Sequence, residues 1–203
     1  MLKCGVEVRK FVTLQQKYLA ILSRKHGLRS ILVESRINDI LCSLPMRVFG
    51  IETVYRSRGN LTAGIDNIKL TKETLLKYID FTTVNSLLKY KCLPIRRIFI
   101  PKKFNTQDKV NLRPLGIPTI GDRIIQTLFL QVLEPIIDVH ADMFSFGFRK
   151  GRNAHQAIGE LSKLLYLKPI NKRKRDEAGP YFSYTKYVVI TDIKAFFDNV
   201  SHT

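Results

Sequence analysis

Apolar and aromatic residues between Leu14 and Leu44 recur at the three- and four-residue spacing of amphipathic helices: Leu14, Tyr18, Ile21 and Leu22, then Ile31 and Leu32, then Ile37, Ile40 and Leu41. Gly27 and Pro45 punctuate that run, so two or three helices are expected there. Tyr55 to Asn60 is polar and basic, and Leu61 to Asp66 reads as a loop leading into a helical stretch from Thr71 to Leu88. Thr71 can cap that stretch, with Glu73 and Lys77 on its wet face. The pattern then changes to strand type over Arg96 to Pro101. Lys102 to Asn111 follows as a polar turn and Leu112 to Ile117 as a return strand, which together predict a β-hairpin.

Gly121 and Asp122 open a further helix, in which Ile124, Ile125, Leu128, Leu130 and Leu133 supply an apolar face for a core and Pro135 bends or ends the run. A Gly-punctuated basic loop, Phe144 to Arg152, precedes a helix from about Ala154 to Leu167. Asn171 to Pro180 is a charged insertion. Tyr187 to Thr191 is a short β-branched run that predicts a buried strand ending at Asp192. The fold class expected from this order is α+β.

Charge turns the pattern towards function. Over 203 residues, 34 Lys and Arg stand against 17 Asp and Glu, a formal +17, which favours a polyanionic partner through phosphate neutralisation and counterion release. Nine of those cations (Lys89, Lys91, Arg96, Arg97, Lys102, Lys103, Lys109, Arg113 and Arg123) fall between Lys89 and Arg123, against Asp108 and Asp122 only. The hairpin is therefore either a phosphate-contacting element or a solvated edge kept from aggregating by its charges. Cys4, Cys42 and Cys92 are widely separated and form no Cys-x-x-Cys pair, so a disulfide framework and a zinc ribbon are not suggested, and mainly buried, reduced thiols are expected. No apolar run approaches the roughly 20 residues of a membrane span, and the first dozen residues lack the apolar core of a secretory signal.

Two other places carry candidate chemistry. In Phe144 to Arg152, aromatics alternate with arginines, a pattern that suits stacking on bases and gripping of phosphates, or simply phenylalanines alternating into a core. An acid placed where a buried strand ends is costly unless paired or metal-bound, which singles out Asp192 as the best catalytic candidate, with a turn-capping aspartate as the plain alternative.

Four ordered stretches over about 140 residues resemble the group II intron reverse transcriptase and maturase family. Thr62-Ala63-Gly64-Ile65-Asp66 is similar to a Gly-Val/Ile-Asp-Gly block, with Asn67 where glycine is usual. Arg96 to Lys102, continuing into Arg113 to Thr119 and Asp122 to Gln126, is similar to the second block. Phe146 to Ala157 and Val189 to His202 resemble the next two. The resemblance implies a right-hand polymerase with fingers and palm and template-directed phosphoryl transfer assisted by two Mg2+ ions. Asp192 would be the first metal-binding aspartate, the carbonyl of Ile193 would help hold the second ion, and the remaining aspartates would come from a downstream Tyr-Ala-Asp-Asp hairpin. The chain taken alone is thus expected not to polymerise unless a second polypeptide completes the palm.

By the same resemblance, Lys102 and Arg113 would clasp the incoming dNTP, and Phe197, or Phe196 if the register differs by one, would gate against a ribose 2′-hydroxyl. Arg96, Arg97, Lys103, Arg149 and Arg152 would contact RNA or template. The implied organisation is an N-terminal helical, RNA-binding extension (1–60), fingers (61–167), a basic insertion (168–186) and the start of a palm (187–203). The implied partners are intron RNA, an RNA template with a DNA primer, and dNTP, with no membrane. Alternatives are a non-catalytic maturase remnant that binds intron RNA, or a decayed reading frame. An organelle, the mitochondrion ahead of the plastid, is the expected setting, with the bacterial cytoplasm as the alternative.

Overall fold

In a computed structural model that describes residues 2–83, 89–101, 112–165 and 189–193, the chain starts with a helix, α1 (Leu2–His26), that begins well before the apolar periodicity at Leu14. Its last turn carries Arg24 and Lys25, cations that complement the negative end of the helix dipole. Two further helices follow, α2 (Ile31–Cys42) and α3 (Leu44–Arg56). Ser30 caps α2 by accepting from the Leu32 N–H, and Pro45 sits in the first turn of α3, where its missing N–H costs nothing.

Which face of α1 is buried differs from the face that the spacing suggests. Val12, Gln15, Leu19 and Ser23 are buried, whereas Leu14, Tyr18 and Ile21 face solvent. Ile31 and Leu32 are likewise exposed, whereas Ile40 and Leu41 of the expected set are buried, together with Val33. Apolar residues occupy more than one side of these helices, so spacing alone selects no unique face.

The described part of the stretch expected over Thr71 to Leu88 forms two short helices, α4 (Lys72–Leu75) and α5 (Lys77–Phe81), with Thr71 at the N-cap and Glu73 and Lys77 exposed; residues 84–88 lie outside the described residues. The hairpin forms as the alternation predicts: β1 (Arg96–Pro101) pairs antiparallel with β2 (Leu112–Ile117), with Arg96 opposite Ile117 and Ile100 opposite Arg113. The long helix α6 runs from Ile120 to His140. It buries Ile120, Ile124, Leu128, Val132 and Ile136 and leaves Leu130 and Leu133 exposed.

Pro135 neither ends nor replaces that helix. Proline cannot donate to the carbonyl four residues earlier, which orphans the Gln131 oxygen. Gln16 of α1 fills the vacancy: its Nε2 donates to Gln131 O at 3.1 Å and to Gln131 Oε1 at 2.9 Å. The helix therefore continues to His140 across the proline.

Helices α1, α2, α3 and α6 share one core of Val12, Leu19, Val33, Ile40, Met46, Ile51, Val54, Leu70 and the buried face of α6. Gly50 lets α3 approach α6 closely, since a Cβ there would lie 2.6 Å from Leu128 Cδ2. This core belongs to the first of two compact units, Met1–Ala141; the second is Asp142–Thr203 and contains α7 (Ala154–Leu165). The architecture is thus mixed α and β, with several helices and a small antiparallel hairpin.

Two expectations need correction, and one of two alternatives left open is decided. Cys42 and Cys92 are exposed rather than buried, Cys42 because it closes α2 just beyond the buried pair Ile40 and Leu41. Phe144 and Phe148 do not alternate into a core but are exposed. Of the strand expected over Tyr187 to Thr191, Val189 to Thr191 form no strand, with Val189 and Ile190 83% and 91% exposed, and Tyr187 and Val188 lie outside the described residues. A strand is buried only where neighbouring strands take up its N–H and C=O groups, and the one sheet among the described residues is the β1–β2 pair. No described helix is long and apolar enough to cross a membrane.

Candidate nucleic-acid interface

The β-hairpin sorts its arginines by face. Side chains alternate along a strand, and directly opposed residues share a side. Arg96, Ile98 and Ile100 of β1 therefore lie on the same side as Ile117, Leu115 and Arg113 of β2, while Arg97 projects from the other. Arg96, Arg97 and Arg113 are all exposed. With four residues of register between them, Arg96 and Arg113 mark the two ends of one face, on the order of 13 Å apart, which is a spacing that one polyanionic strand can bridge. Lys102 and Lys103 lie outside the described residues.

Arg123, counted above among the cations that could meet phosphate, is engaged otherwise. Its Nε donates to Pro118 O at 3.0 Å, Nη1 to Gly59 O at 2.7 Å and Nη2 to Thr62 O at 2.8 Å. One planar fork thereby ties the loop that follows α3 to the junction between β2 and α6. Gly64 presses against the same junction: a Cβ would stand 2.8 Å from Thr119 Cα and 2.9 Å from Thr119 N. The first two sequence blocks thus meet in space, and their glycine and arginine are what let them meet.

Asn67 has φ 56°, in the left-handed region where glycine is at ease and asparagine is among the best-tolerated alternatives. The Asp66 carboxylate holds that turn by accepting from the Ile68 N–H at 3.2 Å. Asparagine in place of the usual glycine therefore keeps the backbone conformation that this turn adopts.

The root of the hairpin is clasped by a carboxylate. Asp122, only 5% exposed, receives the Tyr90 hydroxyl at 2.7 Å on Oδ1 and the Thr119 hydroxyl at 2.7 Å on Oδ2, and its own N–H caps back onto Thr119 Oγ1 at 3.2 Å. Burial opposes ionisation of Asp122, but the hydrogen bonds from Thr119 and Tyr90 outweigh it and hold the carboxyl below its ordinary value. The Tyr90 phenol is pushed up to about 12, first by burial and then by its bond to Asp122. Phe81 packs edge-on against both Tyr78 and Tyr90, extending the clasp into α5. The residue pattern Thr-x-x-Asp before an apolar helix is a capping signature that could have revealed the Thr119–Asp122 part; nothing local pointed to Tyr90.

In the second unit, the loop from Asp142 to Asn153 is knitted by its own side chains. Arg149 Nη1 donates to Asp142 O at 2.8 Å and Ser145 O at 3.0 Å, and Arg152 Nη1 donates to Met143 O at 3.3 Å. The Arg152 guanidinium covers the Phe146 ring at 5.4 Å. Asn153 and Gln156 exchange backbone-to-side-chain bonds at 3.0 and 2.9 Å and so cap α7. Phe148 stands in this loop at φ 57°, a conformation that costs a bulky residue about 1–3 kcal/mol.

Asp192 is exposed, and its Oδ1 accepts from the Ile193 N–H at 2.9 Å. A two-ion site needs several acidic ligands converging on one point. Among the described residues no cluster of three or more His, Cys, Asp or Glu could hold a metal, so the described donor set does not fit a pair of Mg2+ ions. Phe196 and Phe197 lie outside the described residues.

Residues 100–203 match the reverse transcriptase (RNA-dependent DNA polymerase) family, and the chain belongs to that family. It is also homologous to group II intron-encoded proteins. It is 32% identical over 153 residues to the group II intron-encoded protein LtrA of Lactococcus lactis subsp. cremoris, which covers 74% of this chain and 22% of LtrA. It is 31% identical over 149 residues to protein YkfC of Escherichia coli (strain K12), covering 72% of this chain and 35% of YkfC. The chain thus spans about a third or less of the length of these relatives.

Proposed function

We propose that this chain is the N-terminal helical and fingers portion of a group II intron-type RNA-directed DNA polymerase, and that it holds RNA on the β-hairpin face carrying Arg96 and Arg113. In this reading, residues 1–60 form an RNA-binding extension, 61–167 the fingers, 168–186 a basic insertion and 187–203 the start of a palm that receives template, primer and dNTP and would employ Mg2+ once further acidic ligands from a second polypeptide complete the site. The same RNA grip serves splicing of the parent intron, in an organelle. The observation that carries the reading is the placement of two exposed arginines on one face of the hairpin that leads into the family match.

Titrating the chain with RNA at increasing salt tests the grip. Log K should fall linearly with log salt, and Arg96→Ala and Arg113→Ala should each flatten the slope by about 0.7, the increment for one phosphate on a single strand. Slopes left unchanged by both substitutions would remove the hairpin from the interface. Primer extension on an RNA template with magnesium, by this chain supplied with a polypeptide carrying the Tyr-Ala-Asp-Asp hairpin, tests the polymerase reading. Extension should disappear in Asp192→Ala, and extension that survives that substitution refutes the assignment of Asp192.

A further inference from the structure

The loop between Asp142 and Asn153 spends its arginines inward and one aromatic outward. Arg149 and Arg152 are tied to the carbonyls of Asp142, Ser145 and Met143, and Phe146 is half-buried beneath Arg152. Phe148 is the opposite case: it is 113% exposed, more open than in an extended reference chain, and its backbone sits at φ 57°. Exposure of a lone apolar ring is unremarkable in a floppy loop. Here the neighbouring residues fix the backbone in a conformation that a bulky side chain avoids, and the fixed conformation projects the ring.

The surroundings of that ring select its ligand. Gly147 and Gly151 have nothing within 4 Å of where a Cβ would be, so space is open on both sides of Phe148 along the loop. Arg149, Lys150 and Arg152 follow Phe148 in the sequence and, although both arginines donate to loop carbonyls, they leave the loop positively charged, which disfavours an apolar protein surface and favours a polyanion bearing flat rings. A paired duplex hides the faces of its bases, whereas a single strand offers them.

We infer that Phe148 is a stacking platform for an unpaired base of single-stranded RNA, with the net positive charge of the loop attracting the flanking phosphates. The inference rests on the proposed RNA-binding reading and adds to it a base-contacting residue outside the hairpin. Stacking needs a π face and no hydrogen-bond pattern, so the contact tolerates sequence and discriminates strandedness instead.

The chain has no tryptophan, so Phe148→Trp introduces a single indole at the platform. In the free protein that indole should be fully open to acrylamide. Oligoadenylate should quench it saturably, while inorganic polyphosphate and a fully paired RNA should not. Phe148→Asn removes the ring with a residue that tolerates the left-handed backbone, so the loop keeps its shape. It should weaken oligoadenylate binding roughly 5- to 150-fold and leave the salt slope unchanged, because no phosphate contact is lost. An indole shielded in the free protein, equal quenching by polyphosphate, or an affinity unaltered in Phe148→Asn would each overturn the platform. If the unsubstituted chain binds oligoadenylate with salt dependence while Phe148→Asn binds as well, only the platform fails; if it binds no RNA, the proposed function and the platform fail together.

Discussion

Tyr90 donates its phenolic hydrogen to Asp122 at 2.7 Å, so the segment entering the β-hairpin is fastened to the first turn of the helix that leaves it. A two-stranded hairpin is at best marginally stable by itself. Anchoring its two ends to one buried carboxylate gives it a defined direction, which a surface meant to meet a nucleic acid requires.

That clasp makes stability depend on pH at both extremes. The folded pKa of Asp122 is depressed, so its contribution is complete above the ordinary carboxylate value and is lost as pH falls through the lower folded value. The folded pKa of Tyr90 is raised to about 12, so its contribution is complete below about 10 and is lost as pH rises through about 12. Urea denaturation across pH should show both limbs in the unsubstituted chain. Tyr90→Phe should lose the alkaline limb due to this residue and cost about 1–3 kcal/mol near neutrality, since Asp122 Oδ1 is left without its donor in a buried site. An unchanged midpoint in Tyr90→Phe would show that the bond contributes nothing.

Arg123 supports the fold through three carbonyls, and the two roles open to a cation in this region can be separated by experiment. Arg123→Lys keeps the charge and loses the fork. It should lower the urea midpoint by an amount equivalent to about 1.5–3 kcal/mol, the range for bonds to a charged donor, while the salt slope of RNA binding stays put. A flattened slope with unchanged stability would instead return Arg123 to the phosphate-contacting set.

What could be read from the sequence divides along the range of the interactions involved. The hairpin strands were legible at Arg96–Pro101 and Leu112–Ile117 because alternation, β-branching and a polar turn are local signals. Thr71 as a cap was legible for the same reason. The buried face of α1 was not, because Leu14 and Ile21 are as apolar as Val12 and Leu19, and only the positions of the helices packed against α1 decide between them. The strand expected at Tyr187 to Thr191 depends on partners distant in sequence, and its described residues show none. Of the candidate site, the exposed arginines of the hairpin could be anticipated from charge, whereas the structural duty of Arg123 and the left-handed Phe148 could not, since neither is set by composition or spacing.

Gly64 should tolerate no side chain. Its missing Cβ faces backbone atoms of Thr119 and Pro118 at 2.8–3.1 Å, and backbone cannot swing aside as a side-chain end can. Gly64→Ala should therefore cost about 1–3 kcal/mol through overpacking. Gly147→Ala, where a Cβ meets nothing within 4 Å, should fall within about 0.5 kcal/mol of the unsubstituted chain. Comparing their melting curves checks the claim that the first two sequence blocks are joined by close backbone approach, and equal stabilities would contradict it.

Gln16 and Pro135 form a pair whose coupling can be measured. Proline at position 135 deprives the Gln131 carbonyl of its helical donor, and the Gln16 amide supplies a substitute from a neighbouring helix. Gln16→Leu alone should leave that oxygen unsatisfied in a partly buried contact and cost about 1–3 kcal/mol. Pro135→Ala alone restores the backbone donor and removes the proline strain, so it should be neutral or stabilising. In Pro135→Ala the Gln131 carbonyl no longer depends on Gln16, and Gln16→Leu should then cost much less than it does beside proline. A double-mutant cycle by urea denaturation reads that difference directly. Additive effects would mean that Gln16 merely packs between α1 and α6, whereas a coupling of about 0.5 kcal/mol or more would show that α1 is what allows α6 to carry a proline in its last turns.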